Sequence, residues 1–203
     1  ANVVGAALVN TDFRRMFMAA PGAAALVHDW AINEIRPARY KQSRGLCRWA
    51  ICLAPDDLGA YLSAGSAAFG MVDMDKAMRL FLQVRAIQPD NRIALSNIVE
   101  VLTRRGHHGL IAQATRRWLC ADPRAPGAGS ALVSAWTSIR RVNEASRVAR
   151  RTLLMTPLDG ELHGTLARSE LKSGAHERAI ESARRCALIG PSSGYALLTL
   201  AEA

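Results

Sequence analysis

Apolar and small residues recur along this chain at gaps of four and three, and each recurrence ends near a proline. Counted back from Pro55, Pro89, Pro123, Pro157 and Pro191, the twelfth position holds Ala77, Ala145 and Ala179, with Ser43 and Ile111 in the other two units. The eighth holds Cys47, Phe81, Thr115, Ala149 and Ala183, and the fifth Ala50, Val84, Trp118, Thr152 and Cys186. Positions spaced four and three apart share one face of an α-helix. A second set lies further upstream. Val27, Tyr61, Leu95, Gly129 and His163 form one column, and Trp30, Ala64, Ile98, Leu132 and Leu166 another. The residue after these, Ala31, Gly65, Val99, Val133 or Ala167, is mostly small, which lets two helices approach closely.

Between the two helices lie short polar links, "GMVD", "RRGHHG" and "KSGAH". Gly106 and Gly174 share a column there, where a left-handed residue ends the first helix. The proline ends the second helix, because it cannot continue the hydrogen-bond ladder and biases its predecessor away from helical angles. Asp56, Asn91 or Ser192, just beyond it, is expected to cap the next helix. The five prolines stand 34 residues apart, and Pro21 lies one step before them. The units predicted are therefore 22–55, 56–89, 90–123, 124–157 and 158–191, with partial units at 1–21 and 192–203, all in one domain.

This pattern resembles the tetratricopeptide repeat, a 34-residue helix–turn–helix. The unit "LGAYLSAGSAAFGMVDMDKAMRLFLQVRAIQP" carries the resemblance best, through Tyr61, Ala64, Gly65, Ala68, Ala77, Phe81, Val84 and Pro89. The last full unit carries it through Leu166, Ala167, Gly174, Ala179, Ala183 and Pro191. The other three units depart at Ile111, Thr115 and Trp118, at Gly127, Gly129 and Arg140, and at Pro37. The resemblance implies an all-α fold, a right-handed superhelical solenoid of stacked helix pairs whose first helices line a concave groove for extended peptides. Both ends look cut. Val9, Phe13 and Met16 read as the second helix of a preceding unit, and Leu197, Leu200 and Ala201 as an unfinished first helix. More protein is expected beyond them, and self-association through the cut ends.

Composition refines this picture modestly. Half the residues are hydrophobic and 5% aromatic, as suits closely packed helices. No apolar run is long enough to cross a membrane. The net charge is +9 and the pI about 10.2. Lys41, Lys76 and Lys172 are the only lysines among 26 cationic residues; the rest are arginine. Such a balance fits nucleic acid, anionic lipid or acidic protein partners, and equally a genome rich in Arg and Ala codons. Cys47, Cys52, Cys120 and Cys186 form no CxxC and no zinc-ligand spacing. They read as buried, reduced, space-filling residues of a cytoplasmic protein.

No catalytic constellation is present. The chain lacks a glycine-rich dinucleotide loop, a phosphate loop and an H-E-x-x-H helix. His107 and His108 fall in a turn and His163 in a core column, so the histidines are assigned structural roles. No catalytic residue, metal or cofactor is expected. By column, the resemblance places His28, Arg36, Asn97, Glu100, Arg104, Arg168 and Lys172 in the concave groove, with Ser63, Ser66 and Ser134. Arg36, Arg104 and Lys172 share a column suited to a carboxylate or phosphate, or to the negative end of a helix dipole. A chaperone-tail clamp is not matched, since its columns hold His28, Leu62, Ser96, Ser130 and Gly164. An asparagine ladder is not matched either, since Asn97 stands alone. The second helices carry Arg116–Arg117, Arg150–Arg151 and Arg184–Arg185 at the same period. These rows form a possible surface for an anionic partner, or solvated helix backs partnered by Glu144, Glu177 and Glu181.

The function expected is a protein-interaction scaffold holding an extended peptide in the groove, as the recognition arm of a larger protein. One alternative is the repeat region of a sulfotransferase, glycosyltransferase or methyltransferase. Another is a basic nucleic-acid-binding repeat, disfavoured by the scarcity of aromatic stacking platforms.

Overall fold

The structure is a computed structural model that describes residues 22–35, 39–125 and 127–190. Among these, the regular elements are ten α-helices and no strand: α1 (Ala23–Asn33), α2 (Tyr40–Leu53), α3 (Leu58–Gly70), α4 (Met74–Ile87), α5 (Arg92–Arg104), α6 (His108–Ala121), α7 (Ala128–Ser138), α8 (Val142–Leu153), α9 (Gly160–Lys172) and α10 (His176–Ile189). The segments around Val9 and Phe13, Pro37, and the tail carrying Leu197 and Leu200 lie outside the described residues, as do the expected cut ends. The chain divides into two compact units, residues 1–94 and 95–203.

In the first unit α1 packs on α2, α3 on α4, and α3 also on both α2 and α1. Its core joins Val27 and Ala31 of α1, Leu46, Cys47 and Ala50 of α2, and Ala60 and Ala64 of α3, with Trp30 and Trp49 at its edge. Ala77 and Phe81 of α4 are also buried. An added Cβ at Gly65 would clash with Cε1 of the Phe81 ring, so the small column is a true requirement there. In the second unit α7 packs on α6, α8 and α9, and α9 packs on α8 and α10. Val133, Ala145, Ala149, Leu162 and Leu166 form one core cluster. Ala179, Ala183 and Cys186 are buried on α10. The residues that departed from the pattern adapt to it. Ser43 donates to the Ala31 carbonyl at 2.9 Å, and Thr115 to that of Ile111 at 2.6 Å, so neither buried hydroxyl is left unpaired.

Four inter-helix turns share one geometry. Val72, Gly106, Arg140 and Gly174 stand 34 residues apart, and all have left-handed backbones, with φ of 63°, 70°, 62° and 76°. In each turn the next residue donates to the carbonyl five positions earlier. Asp73 N bonds Ala68 O, His107 N Leu102 O, Arg141 N Trp136 O, and Ala175 N Glu170 O, at 2.8–3.1 Å. With the accompanying bonds from Val72 N to Phe69 O and from Gly174 N to Leu171 O, this is the Schellman closure of a helix.

Helix starts correct one expectation. The cap after Pro55 is Asp57, not Asp56: its carboxylate accepts from Gly59 N at 2.9 Å. Asn91 accepts from Ala94 N at 2.9 Å and Asp159 from Leu162 N at 2.9 Å. Ser192 lies outside the described residues. Asp57, Asn91 and Asp159 share a column that Ala125 interrupts. Lacking a side-chain acceptor there, α7 begins only after Gly127, a left-handed N-cap.

The cysteines correct a second. Cys47 and Cys186 are buried, but Cys52 and Cys120 are exposed, because their column lies on the outer face near the end of the second helix. Burial pushes the Cys47 thiol up to about 11.

Candidate functional site

In the second unit the first helices present polar side chains to a common cavity of about 500 Å³. Ser96, Asn97 and Glu100 reach it from α5, Ser130 and Ser134 from α7, and Glu161, Thr165 and Arg168 from α9. These residues lie on the face opposite the core columns, so helical periodicity alone brings them together. Trp118 of α6 forms an apolar wall and is 8% exposed. The Ser130 and Thr165 hydroxyls donate to the Gly127 and Leu162 carbonyls at 2.9 and 3.1 Å. Asn97, Glu100, Glu161 and Arg168 then supply a neutral amide and charges of both signs. That set suits a polar chain that needs donors and acceptors along its length.

Of the groove residues expected from sequence, Asn97, Glu100 and Arg168 line this cavity. Arg104 does not; its Nε lies 3.6 Å from Glu100 Oε1 at the end of α5. Lys172 is exposed in the last turn of α9, where a cation complements the helix dipole. Arg36 lies outside the described residues. His28 belongs to the first unit and has internal partners: Nδ1 is 3.2 Å from Asp57 Oδ2, and Nε2 is 3.0 Å from Ser63 Oγ. It fastens α1 to the start of α3, and an added Cβ at Gly59 would meet its ring at 2.6 Å.

Arg116, Arg117, Arg150, Arg151, Arg184 and Arg185 are all exposed. Their partners differ from those expected in one respect. Arg185 Nε donates to Glu181 at 2.9 Å, as the helical spacing implies, while Glu144 serves Arg141. Arg150 instead donates to Glu170 at 2.6 Å, a carboxylate only 3% exposed. Sequence reasoning missed Glu170; its signal was a charge in a column otherwise filled by Ala68, Leu102 and Trp136, with Glu34 at the end of α1.

Among the described residues no group of three or more His, Cys, Asp or Glu could hold a metal ion. None of the described helices is long and apolar enough to cross a membrane.

Helix pairs closed by Schellman turns, with first helices lining a polar cavity, define a helical-repeat protein of the tetratricopeptide fold. MamA from Desulfovibrio magneticus RS-1 has a similar structure, with a TM-score of 0.73 at 16% identity, over 84% of this chain and 97% of that one. MamA AMB-1 is similar with a TM-score of 0.67 at 20% identity, over 86% and 96%. YrrB, described as a tetratricopeptide-repeat protein with an unusual peptide-binding site, scores 0.68 at 15% identity, over 87% and 88%. At these identities the likeness establishes the fold. No protein-family model matches the chain, and no curated protein does.

Proposed function

We propose that the chain is a protein-interaction scaffold that holds an extended peptide segment along its first helices. In this reading residues 1–203 act as one repeat domain, in the cytoplasm. The observation that carries it is the cavity shared by Asn97, Glu100 and Arg168. An extended backbone offers alternating N–H and C=O groups, which an asparagine amide can meet in both senses. Arg168 meets a carboxylate through its planar fork. The peptide-binding site described for YrrB supports the same use of this fold.

A positional-scanning library of extended peptides tests this reading. Peptides selected by the wild-type chain should lose tenfold or more in affinity with Arg168→Glu or Asn97→Ala, as expected for losing a hydrogen bond to a charged or polar group. Arg116→Glu with Arg151→Glu, on the second helices, should leave binding within twofold. The reverse ranking, together with a steep loss of binding as salt rises, would replace the groove by the arginine rows.

A further inference from the structure

The α9/α10 pair departs from the other pairs in three columns. Glu170 is a buried carboxylate in a column that holds Ala68, Leu102 and Trp136 in three pairs and Glu34 in the first, Ser182 replaces Leu46, Leu80, Ala114 and Val148, and His163 replaces Val27, Tyr61, Leu95 and Gly129. All three line a groove of about 800 Å³ whose walls are α8 and α10 and whose floor is α9. This groove is separate from the first-helix cavity and shares no residue with it. Glu170 bridges its two walls. One carboxylate oxygen accepts from Arg150 of α8 at 2.6 Å, and the other from Ser182 of α10 at 2.7 Å. A single buried carboxylate thus fastens both walls, and the groove has its width before anything enters it.

Its mouth is apolar. Leu154, Leu158 and Leu188 line the groove and are 84%, 78% and 84% exposed. Leu154 and Leu188 share a column that holds Cys52, Ala86 and Cys120 in the other pairs. Large apolar side chains are thus placed where the repeat otherwise keeps small ones facing water, and a contiguous patch of this kind marks an interface. Its charge pattern is self-complementary. Arg150, Arg178 and Arg185 line the groove together with Glu170, Glu177 and Glu181. Both signs are equally represented, in a chain whose net charge is +9. The groove itself adds no local attraction for an acidic partner. Two copies of the chain repel through their net charge, and a balanced, apolar-centred patch is where that repulsion is least. Across a two-fold axis such a patch faces itself; Glu177 of one copy can meet Arg178 of the other, and the Arg185–Glu181 pair within each copy, at 2.9 Å, can exchange partners across the axis.

We propose that this groove is the contact surface of a two-fold dimer of the chain, with Leu154, Leu158 and Leu188 meeting their copies near the axis. Sedimentation velocity from low micromolar to several hundred micromolar protein tests it. The wild type should dimerise reversibly within this range. Leu154→Glu with Leu188→Glu, at exposed positions, should weaken the dimer by about a hundredfold or more while leaving the far-UV circular dichroism unchanged. Two charge-swapped variants sharpen the test. Arg178→Glu with Arg185→Glu, and Glu177→Arg with Glu181→Arg, should each be monomeric alone and should pair when mixed. A wild type that stays monomeric throughout overturns the proposal and leaves the groove to a different partner. A dimer insensitive to the leucine changes, or dissolved only by Leu197→Glu with Leu200→Glu, places the contact elsewhere and overturns it equally. Because none of these variants touches the first-helix cavity, their outcome is independent of the peptide-binding reading.

Discussion

Replacing Val72 by Gly should stabilise the protein, although it removes a hydrophobic side chain. Val72 is 71% exposed and its φ is 63°. The left-handed region costs an L-residue roughly 1–2 kcal/mol, and β-branched residues are the least suited to it. Glycine adopts it freely but adds unfolded-state entropy, which costs about 0.5–1 kcal/mol. The difference predicts a gain of about 0.5–1 kcal/mol. The same turn supplies the converse. Gly106 and Gly174 have φ of 70° and 76°, and an added Cβ at either would meet nothing within 4 Å. Gly106→Val should therefore cost about 0.5–1 kcal/mol, the same difference between backbone strain and glycine's unfolded-state entropy taken with the opposite sign. Urea denaturation followed by circular dichroism reads both effects as midpoint shifts of a few tenths of a molar in opposite directions, with unchanged slope. A Val72→Gly variant destabilised by more than about 0.5 kcal/mol would mean that the side chain, and not the left-handed backbone, governs this turn.

Three further outcomes are expected. Gly65→Ala should destabilise by about 1–3 kcal/mol, because the new methyl displaces the Phe81 ring, while Phe81→Ala should cost about 3–5 kcal/mol; both are read by the same urea titration. Cys52 and Cys120 should react with a thiol reagent in the native protein, whereas Cys47 and Cys186 should react only on unfolding. Since the folded Cys47 pKa lies near 11 against an ordinary 9.0, its contribution to stability is complete below pH 9 and lost as pH rises from 9 to 11, a slope that Cys47→Ala should remove. Arg150→Ala should cost about 1–3 kcal/mol despite the half-exposed guanidinium, because it removes the charged donor of the buried Glu170 carboxylate and leaves only Ser182.

The helix pairs were legible because each signal is local and recurs. A proline in phase, a small residue two turns earlier and a left-handed turn residue all act within one unit, so five copies average out the departures. The turn at Val72 and Arg140 was legible by position but not by residue type, since valine and arginine give no hint of a positive φ. Capping was misplaced by one residue at Asp56 because two adjacent aspartates compete, and only the backbone decides which faces Gly59 N. The late start of α7 follows from Ala125, whose missing acceptor is visible only against Asp57, Asn91 and Asp159. For the groove, column logic brought Asn97, Glu100 and Arg168 to one cavity but could not supply the Trp118 wall, which comes from a second helix. Nor could it supply the partners of His28, Asp57 and Ser63, which lie in the next pair. Arg150 and Glu170 sit 20 residues apart in different pairs, a separation at which a within-helix charge rule has nothing to say.

The Glu170 clamp bears on how the chain comes apart. In a repeat array, stability is a sum of intrinsic terms for each pair and coupling terms between neighbours. Most coupling in the second unit is apolar and spread over several small contacts. Between α8 and α10 part of it is concentrated in one carboxylate that bonds to both. Such a term acts on cooperativity more than on total stability. With it intact, α9 and α10 should melt together with α7 and α8 in a single transition. With Glu170→Leu, which restores the residue type of the Leu102 column position, intrinsic stability should be kept or raised while the last pair begins to open on its own, a difference that hydrogen exchange resolves helix by helix.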